Sequence, residues 1–388
     1  MKDGAEEFGR GGEWLEVSLR EEWVTLLIWC LVLACLLGAA GVFRRITASR
    51  GTPLGVAFST ARWGRTSEMQ ALMTVRAFVA WHNLQEGNFP IRLEEVPYDD
   101  DPTQAMEELA RRDVRAVVGF FHSFGAEAAR RVASREQVPV LASGASSSHF
   151  DREDDWLFRT RGSTEGDAEA YVELCHRAGV KNLVVLYYEE NDLYRTSFVR
   201  DMVIRGGARI LRTLPYRHVM GDSFSPRSAG VLSPDGVLVV GPSVPSVWMG
   251  QRARQAWPGA TLLLSPWSLA SLTAEEALLL GEGVLGAEGV PPGWADSRHP
   301  FVRFWRERFG DLPLGVVEHH TFLALRWFLD ALGESGGGGG EALRRSLAKP
   351  RELRGIGRDG RVDAFGDSQE ELLPLRLNRR GDFQVMNP

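Results

Sequence analysis

Cysteine is scarce in this chain, and its scarcity argues against both disulfide bonds and cysteine-rich metal sites. Only three cysteines occur in 388 residues, and Cys30 and Cys35 both lie inside a long apolar run near the N-terminus. Cys175 is alone in the remaining sequence, where neither an internal disulfide nor a cysteine-rich metal site can form. We expect Cys175 to be a small, buried, apolar residue on an amphipathic helix.

Catalytic and nucleotide-binding motifs are also missing. The sequence has no GxSxG elbow, no GxxxxGK[ST] phosphate loop, no HExxH and no GxGxxG between a strand and a helix. His319 and His320 are adjacent, and neighbours on a helix point about 100° apart, so they do not share a face as a metal-binding pair would. We therefore predict no enzyme activity, no metal site and no cofactor.

An excess of positive charge is absent too. The chain has 45 Lys and Arg against 51 Asp and Glu, a net charge of -6, which excludes the basic footprint of a nucleic-acid-binding protein. Apolar residues make up 44% and charged residues 25%, a balance typical of globular proteins. The length is enough for two ordinary domains.

One long apolar segment runs from Trp23 to Phe43, 21 residues without a charge. It is long enough to span a membrane and longer than the usual core of a signal peptide. We predict a retained transmembrane anchor at 23–43, preceded by an acidic, disordered segment at 1–22. Two other fates stay open: cleavage after Ala39 and Ala40 as a secretory signal, or lipidation at Cys35.

The orientation of this segment is ambiguous. Arg44, Arg45 and Arg50 follow it, whereas glutamates precede it. The positive-inside rule would therefore place the rest of the chain in the cytoplasm.

Beyond the apolar segment, short β-branched runs alternate with amphipathic helical patterns. Continuous apolar runs such as NLVVLYY at 182–188 indicate parallel strands that are covered on both faces. The alternation predicts right-handed crossovers and doubly wound sheets. We predict strands at 53–58, 91–96, 114–119, 138–142, 183–187, 209–214, 236–240, 261–264 and 283–287. The predicted helices are 66–86, 103–111, 125–135, 165–178, 194–205, 247–257, 300–309 and 319–332, followed by a glycine loop and a β-rich tail.

Several segments, taken in order, resemble the branched-chain amino-acid type of type I periplasmic binding protein. The resemblance is carried by STARWGRTSEMQALMTVRAFVAWHN at 59–83, YDDDPTQAMEELARRDVRAVVG at 98–119, FFHSFGAEAARRVASREQVPVLASGASSS at 120–148, WLFRTRGSTEGDAEAYVE at 156–173, LVVLYYEENDLYRTSFVRDM at 183–202 and GPSVPSVWMGQRARQA at 241–256. It extends from about residue 53 to the tail, and the order and spacing of the segments carry more weight than any single one.

The resemblance implies an α/β fold of two doubly wound parallel-sheet lobes, joined by crossover hinge strands and preceded by one N-terminal hydrophobic helix. It assigns 52–160 and 291–345 to the first lobe, and 161–290 and 346–388 to the second. The implied hinges lie around 159–162, 287–290 and after residue 347. The implied function is non-catalytic binding of a small polar solute, an amino acid or a related amide or carboxylate, in the cleft between the lobes.

The resemblance also implies partners and a location. It points to the substrate-binding component of an ABC-type transporter, with a permease as partner. The binding lobes would be periplasmic or extracytoplasmic and held at the cell membrane by the N-terminal span. A membrane-anchored sensor or regulator, or a scaffold that no longer binds a ligand, would give the same pattern. Relatives that bind amino acids often carry an acid in the second lobe where this chain reads SPWS at 265–268, so recognition of an α-amino group does not carry over.

Candidate ligand contacts in the first lobe follow predicted strands. Ser123 begins a helix, and its hydroxyl and the free N–H groups of the first turn can hold a carboxylate, although a plain N-cap role fits as well. Ala145 and Ser146 lie in a small-residue loop whose backbone N–H groups can approach a ligand. An ordinary surface loop is the alternative there.

Aromatic candidates complete the predicted cleft. Trp63 follows the first strand, and Tyr194 and Trp267 belong to the second lobe, where large rings would shield a ligand. Core packing is the alternative for each. The acids Glu189, Glu190 and Asp192 precede Tyr194 and are the nearest partners for a cationic ligand group, unless they are simply solvated.

Overall fold

The computed structural model describes residues 51–60, 65–99, 101–290, 294–310 and 312–386. The predicted span at 23–43, the acidic segment at 1–22 and Trp63 lie outside these residues. Among the helices of the described ranges, none is long and apolar enough to cross a membrane.

A first sheet forms from short apolar runs in the first third of the chain. Its strands are β1 Thr52–Ser59, β2 Ile91–Tyr98, β3 Ala116–Gly119, β4 Val140–Ala142 and β5 Leu157–Arg159. They lie in the order β2-β1-β3-β4-β5, and every pair is parallel.

A second sheet contains the middle strands and the end of the chain. Its strands are β6 Asn182–Tyr187, β7 Arg209–Pro215, β8 Gly236–Val240, β9 Thr261–Leu264, β10 Leu285–Glu288, β13 Leu373–Leu377 and β14 Phe383–Val385. The order is β14-β13-β10-β9-β8-β6-β7, with β13 antiparallel to both of its neighbours. Between β10 and β13, a separate antiparallel hairpin pairs β11 Arg351–Leu353 with β12 Gly360–Val362.

Helices alternate with these strands along the chain. They are α1 Arg65–Asn83, α2 Pro102–Arg111, α3 Ser123–Glu136, α4 Thr164–Arg177, α5 Asp192–Ile204, α6 Tyr216–Val219, α7 Ser243–Ala256, α8 Pro266–Leu269, α9 Ala274–Leu278, α10 Pro300–Phe309, α11 Val316–Glu334 and α12 Gly340–Leu347.

Both sheets are buried on their two faces, as the continuous apolar runs predict. In β6, Val184 and Leu186 pack in one core while Leu183 and Val185 pack in another. Successive side chains of a strand point to opposite faces, so the two cores lie on opposite sides of the sheet. The architecture is the doubly wound, two-lobed α/β fold that we predict from sequence.

The parallel strands have the same order in both lobes. The first sheet reads β2-β1-β3-β4-β5, and the second reads β7-β6-β8-β9-β10 in the corresponding positions. In sheets of this order, ligands bind outside the carboxyl ends of the strands, where the order reverses. Each lobe therefore has one natural binding edge.

The chain passes between the lobes at three places: after β5, after β10, and between β12 and β13. The resemblance places the third of these crossovers at residue 346. The packing places it later, because Leu347, Leu353 and Val362 lie in the core of the first lobe, whereas Leu372 lies in that of the second.

The sequence did not predict the short helices α6, α8 and α9, and two further elements also differ from the expectation. The strand β5 was not predicted, because only three residues pair and the run is too short to show a period. The helix α12 begins at the end of the glycine run that we predict as a loop; its buried Leu343 and Leu347 pack against the first core and stabilise the helix.

Candidate ligand-binding cleft

A cavity of about 570 Å³ is lined by residues from both lobes. Most of these residues follow the carboxyl ends of β3, β4, β6 and β9. The others come from α1, from the segment after β5 and from α11. The lining consists of Ser67, Phe121, His122, Ser143, Gly144, Ser146, Arg161, Asn191, Tyr194, Pro266, Trp267, Ala270, Val316, Val317 and His320. This is the edge of each sheet at which the strand order predicts a ligand.

Two loops of the first lobe lie in direct contact at this edge. A Cβ added at Gly144 would stand 2.1 Å from the carbonyl oxygen of Phe121, closer than any side chain tolerates. Glycine at position 144 therefore lets the loop after β4 lie against the loop after β3. The contact brings Ser146 and His122 to the same cavity wall.

The first-lobe candidates occupy different positions. Ser146 lines the cavity, whereas Ser123 and Ala145 are fully buried behind it. The Ser123 hydroxyl accepts a hydrogen bond from the backbone N–H of Ser147 at 3.2 Å, and so fixes the loop that carries Ser146.

Backbone donors remain available in the same loop. In the part of the chain that the structure describes, no acceptor faces the backbone N–H groups of Gly144, Ala145 or Ser146. The neighbouring first turn of α3 adds N–H groups that have no partner within the helix. Such N–H groups at a helix start attract an anionic oxygen.

The second-lobe wall is aromatic. The ring of Tyr194 stacks on Phe198 with centroids 5.8 Å apart, and Trp267 meets Tyr194 edge-on at 5.8 Å. Across the cleft, the imidazole of His122 lies 6.0 Å from the Trp267 ring. Tyr194 is buried and Trp267 half-buried, so these rings are both cavity wall and packing.

The acids that precede Tyr194 lie away from the cavity. Glu189 pairs with Arg217, and Asp192 pairs with Arg195 on its own helix. Asn191, which directly precedes Asp192, lines the cavity instead and is only 3% exposed. Its Oδ1 has no hydrogen-bond partner among the described residues. This position could not be predicted from sequence, because Asn191 lies inside an acidic run, and such runs are usually solvated.

A buried carboxyl, that of Glu68, lies behind the first-lobe wall and beside the imidazole of His122, which lines the cavity. Burial raises the pKa of Glu68 to about 8, although the Ser59 N–H donates to its Oε2 at 3.0 Å. Burial also lowers the pKa of His122 to about 4. Glu68 Oε1 and His122 Nε2 are 3.6 Å apart. At neutral pH both groups are therefore mostly uncharged.

A buried charge cluster forms the floor of the cleft. The guanidinium of Arg161 contacts the carboxylates of Asp167 at 3.3 Å and Glu288 at 3.5 Å, and it also hydrogen-bonds to Glu370. Glu370 lies 3.3 Å from His320 Nε2. We name Arg161, Asp167, Glu288 and Glu370 the hinge cluster, because Arg161, Glu288 and Glu370 come from the three crossovers.

The members of the hinge cluster titrate differently. Burial raises the pKa of Asp167 and of Glu288 to about 7, against the attraction of Arg161. Burial acts on Glu370 in the same direction, but Arg161 and His320 outweigh it and hold the pKa of that carboxyl well below its usual range. Glu370 is thus the permanent counter-charge of Arg161.

Comparison with known proteins identifies the architecture. A family model described as periplasmic binding protein matches residues 56–368. No protein among the curated sequences matches the chain.

Solved structures with the same fold include a leucine binding protein from Thermotoga maritima, 18% identical, with a TM-score of 0.69 over 87% of this chain and 98% of that one. A solute binding protein of an ABC transporter from R. palustris, in complex with benzoate, is 14% identical, with a TM-score of 0.71 over 87% and 95%. A branched-chain amino acid transporter substrate binding protein from Streptococcus pneumoniae, in complex with isoleucine, is 15% identical, with a TM-score of 0.69 over 87% and 100%. At these identities the likeness shows a shared fold.

Proposed function

The chain belongs to the periplasmic binding protein family, a family of extracytoplasmic solute-binding proteins that are not enzymes, and from this premise we propose that it captures a small carboxylate-bearing solute in the cleft. The observation that carries the proposal is the set of unengaged N–H groups at 144–146, beside the start of α3, in a loop whose Gly144 and Ser146 line a cavity of about 570 Å³.

The proposed anchor of the ligand is in the first lobe. A carboxylate would accept hydrogen bonds from the backbone of the loop after β4 and from the Ser146 hydroxyl. Hydrogen bonds to a charged group are each worth about 1.5–3 kcal/mol, more than those to a neutral one. The ligand body would then extend toward Tyr194 and Trp267, where aromatic surface replaces water.

We propose that binding closes the lobes about the three crossovers. A ligand that touches Ser146 on one side and Trp267 on the other favours the arrangement in which both contacts exist. Direct bonds between the lobes support such closure: Ser147 Oγ lies 2.7 Å from Ser197 Oγ, and Ser148 Oγ donates to Asp201 Oδ2 at 2.6 Å.

The closed, loaded protein would deliver its solute to an ABC-type transporter. The apolar run at 23–43 would hold the lobes at the membrane surface, since 21 uncharged residues are enough to span the hydrocarbon core.

Native mass spectrometry of the full chain, purified in detergent from its own host, tests the proposal. We expect one small molecule with a carboxylate per chain, and we expect the same compound to raise the melting temperature of ligand-free protein. A chain that is folded by circular dichroism, carries no solute, and is not stabilised by any small carboxylic acid or amino acid would contradict the proposal.

A further inference from the structure

We infer that the cleft selects carboxylic acids with an apolar or aromatic body over α-amino acids of the same shape. The inference rests on the proposed function, because it uses the same cleft and the same carboxylate anchor. It concerns the opposite end of the ligand, where an α-ammonium group would have to be accommodated.

The first step is the absence of a carboxylate on the wall. None of the lining residues in the described ranges is an aspartate or a glutamate. The residues at 61–64, which lie outside those ranges, read Ala-Arg-Trp-Gly and contain no acid either. A buried ammonium without a carboxylate partner loses its hydration and gains no ion pair in return.

The second step concerns the arginine that lines the described wall. Arg161 is a cation, so it repels an ammonium rather than binding it. Its three carboxylate partners, Asp167, Glu288 and Glu370, are absent from the lining and already hydrogen-bonded or ion-paired to the guanidinium. Arg161 thus faces the cavity, whereas the acids of the hinge cluster do not.

The third step concerns the acids nearest to each lobe's wall. Glu68 is enclosed behind the first-lobe wall and accepts a hydrogen bond from the Ser59 N–H. In the second lobe, Glu189 and Asp192 are paired with arginines outside the cavity. No described acid of either lobe is therefore in place to meet an ammonium.

The aromatic residues do not replace the missing acid. Cations bind over the faces of aromatic rings, best where several faces converge. Tyr194 has Phe198 stacked on it, with the rings only 18° from parallel, and Trp267 meets Tyr194 at 79°. The wall is continued by Pro266, Ala270, Val316 and Val317, which suit an apolar body.

Two matched ligand pairs test the inference on the full chain, freed of bound solute by unfolding and refolding in detergent. Each pair differs only in the α-ammonium: hydrocinnamate against L-phenylalanine, and isocaproate against L-leucine. By calorimetric titration, we expect the acid without an amino group to bind at least about tenfold more tightly in the pair of higher affinity, because an unpaired ammonium is costly to bury. Hydrocinnamamide, which has no carboxylate, serves as the control for the anchor.

A pair of variants at position 270 tests whether adding a carboxylate to the wall improves the binding of an α-amino acid. Ala270 lines the second-lobe wall and is half-buried, so a longer side chain there can reach the cavity. We expect Ala270→Glu to improve the binding of L-phenylalanine relative to hydrocinnamate by about tenfold, since it supplies the carboxylate partner. Ala270→Gln has the same size without the charge, and it should leave the preference for hydrocinnamate in place.

The outcomes separate this inference from the proposed function. Binding of an amino acid as tight as that of its deaminated partner would overturn the inference and leave the carboxylate anchor intact. Equal affinities for hydrocinnamate and hydrocinnamamide would instead overturn the anchor, and with it the proposed function. A refolded chain that binds none of the five compounds counts against both.

Discussion

The guanidinium of Arg161 lies 3.5 Å from the carboxylate of Glu288, although the two residues belong to different crossovers between the lobes. Glu370 joins them from the third crossover, where its Oε2 also accepts a hydrogen bond from the backbone N–H of Gly162 at 3.2 Å. A Cβ at Gly289 would overlap Glu370 Oε1, so glycine at that position makes room for the contact. One buried arginine thus ties together all three hinge strands.

Arg161→Met tests how much the fold depends on this arginine. The substitution leaves the carboxylates of the hinge cluster buried without their cation. We expect it to lower the free energy of unfolding by about 3–5 kcal/mol, as removal of one partner of a buried ion pair usually does. Urea denaturation followed by circular dichroism measures the change.

The matched control is Arg76→Met. Arg76 pairs with Glu95 on the surface, and its side chain is 51% exposed. An exposed pair is worth only about 0–1 kcal/mol, because water and salt screen it. Equal losses in the two variants would mean that the hinge cluster does not stabilise the fold.

Stability should depend on pH through Glu68. Its pKa is raised from 4.5 to about 8 by burial, so the folded state holds this proton more tightly than the unfolded state does. The contribution of this protonated carboxyl to the stability of the fold is therefore complete below about pH 4.5 and is lost as the pH rises through about 8. In the folded state the facing groups keep their protonation across this window, because burial lowers the pKa of His122 to about 4 and raises that of Tyr98 well above its usual value.

Glu68→Gln isolates this contribution. Glutamine keeps the shape and can still accept from the Ser59 N–H, but it carries no proton to lose. Relative to the variant, the unsubstituted chain should lose a few kcal/mol of stability between about pH 5 and pH 8. Parallel stability profiles of the two proteins across this range would show that Glu68 titrates normally.

Ser146→Ala should weaken ligand binding and leave the unliganded protein intact. The Ser146 hydroxyl lines the cavity and makes no hydrogen bond with other described residues. We expect an affinity loss of about 0.5–3 kcal/mol, depending on the charge of the ligand group, with a melting temperature close to that of the parent. Calorimetric titration with the copurified solute and melting curves give the two quantities.

Ser123→Ala should show a different result in the same assays. Its hydroxyl holds the Ser147 N–H inside the protein, so its removal should cost about 1 kcal/mol of stability before any ligand is added. If Ser123→Ala changed only the affinity, the ligand contact that we predict from sequence would be right and the loop-fixing role wrong.

Trp267→Ala should reduce affinity by about 2 kcal/mol or more, because it removes the largest ring that lines the described cavity wall. Trp248→Ala is the matched control: Trp248 is 46% exposed and is not part of that wall. Tryptophan is removed in both variants, so equal affinities would show that Trp267 serves only in packing.

Trp63 lies outside the described residues, and its role as a lid over the ligand stays a prediction. We expect Trp63→Ala to weaken binding more than Ser146→Ala does, since an aromatic ring shields the ligand from water. Its unliganded melting curve should match that of the parent. Intact affinity together with a stability loss of several kcal/mol would identify Trp63 as a core residue instead.

Local sequence patterns were sufficient for much of the fold. The strand boundaries at 236–240 and 261–264 agree with the structure, because a strand buried on both faces is an uninterrupted apolar run between polar turns. Short elements were not predictable in this way. Leu157–Arg159 has no period of its own and forms a strand only because β4 lies beside it.

The sequence by itself determined the alternation of strands and helices, and with it the doubly wound sheets and the edge of each sheet at which a ligand belongs, while the resemblance to the binding-protein family implied the two lobes. It also singled out Ser146, Tyr194 and Trp267 as cleft candidates, and all three line one cavity. These properties are local, because the residues next to a strand end or a helix start determine where it lies.

Only the tertiary structure decided which side chains meet. Arg161 and Glu370 are 209 residues apart in the chain, and Asn191 lines the cavity although its acidic neighbours do not. Likewise, Ser123 lies behind the cavity wall because the loops after β3 and β4 pack against each other. Such contacts depend on how separate elements pack together, and this packing cannot be predicted from periodicity or spacing in a single sequence.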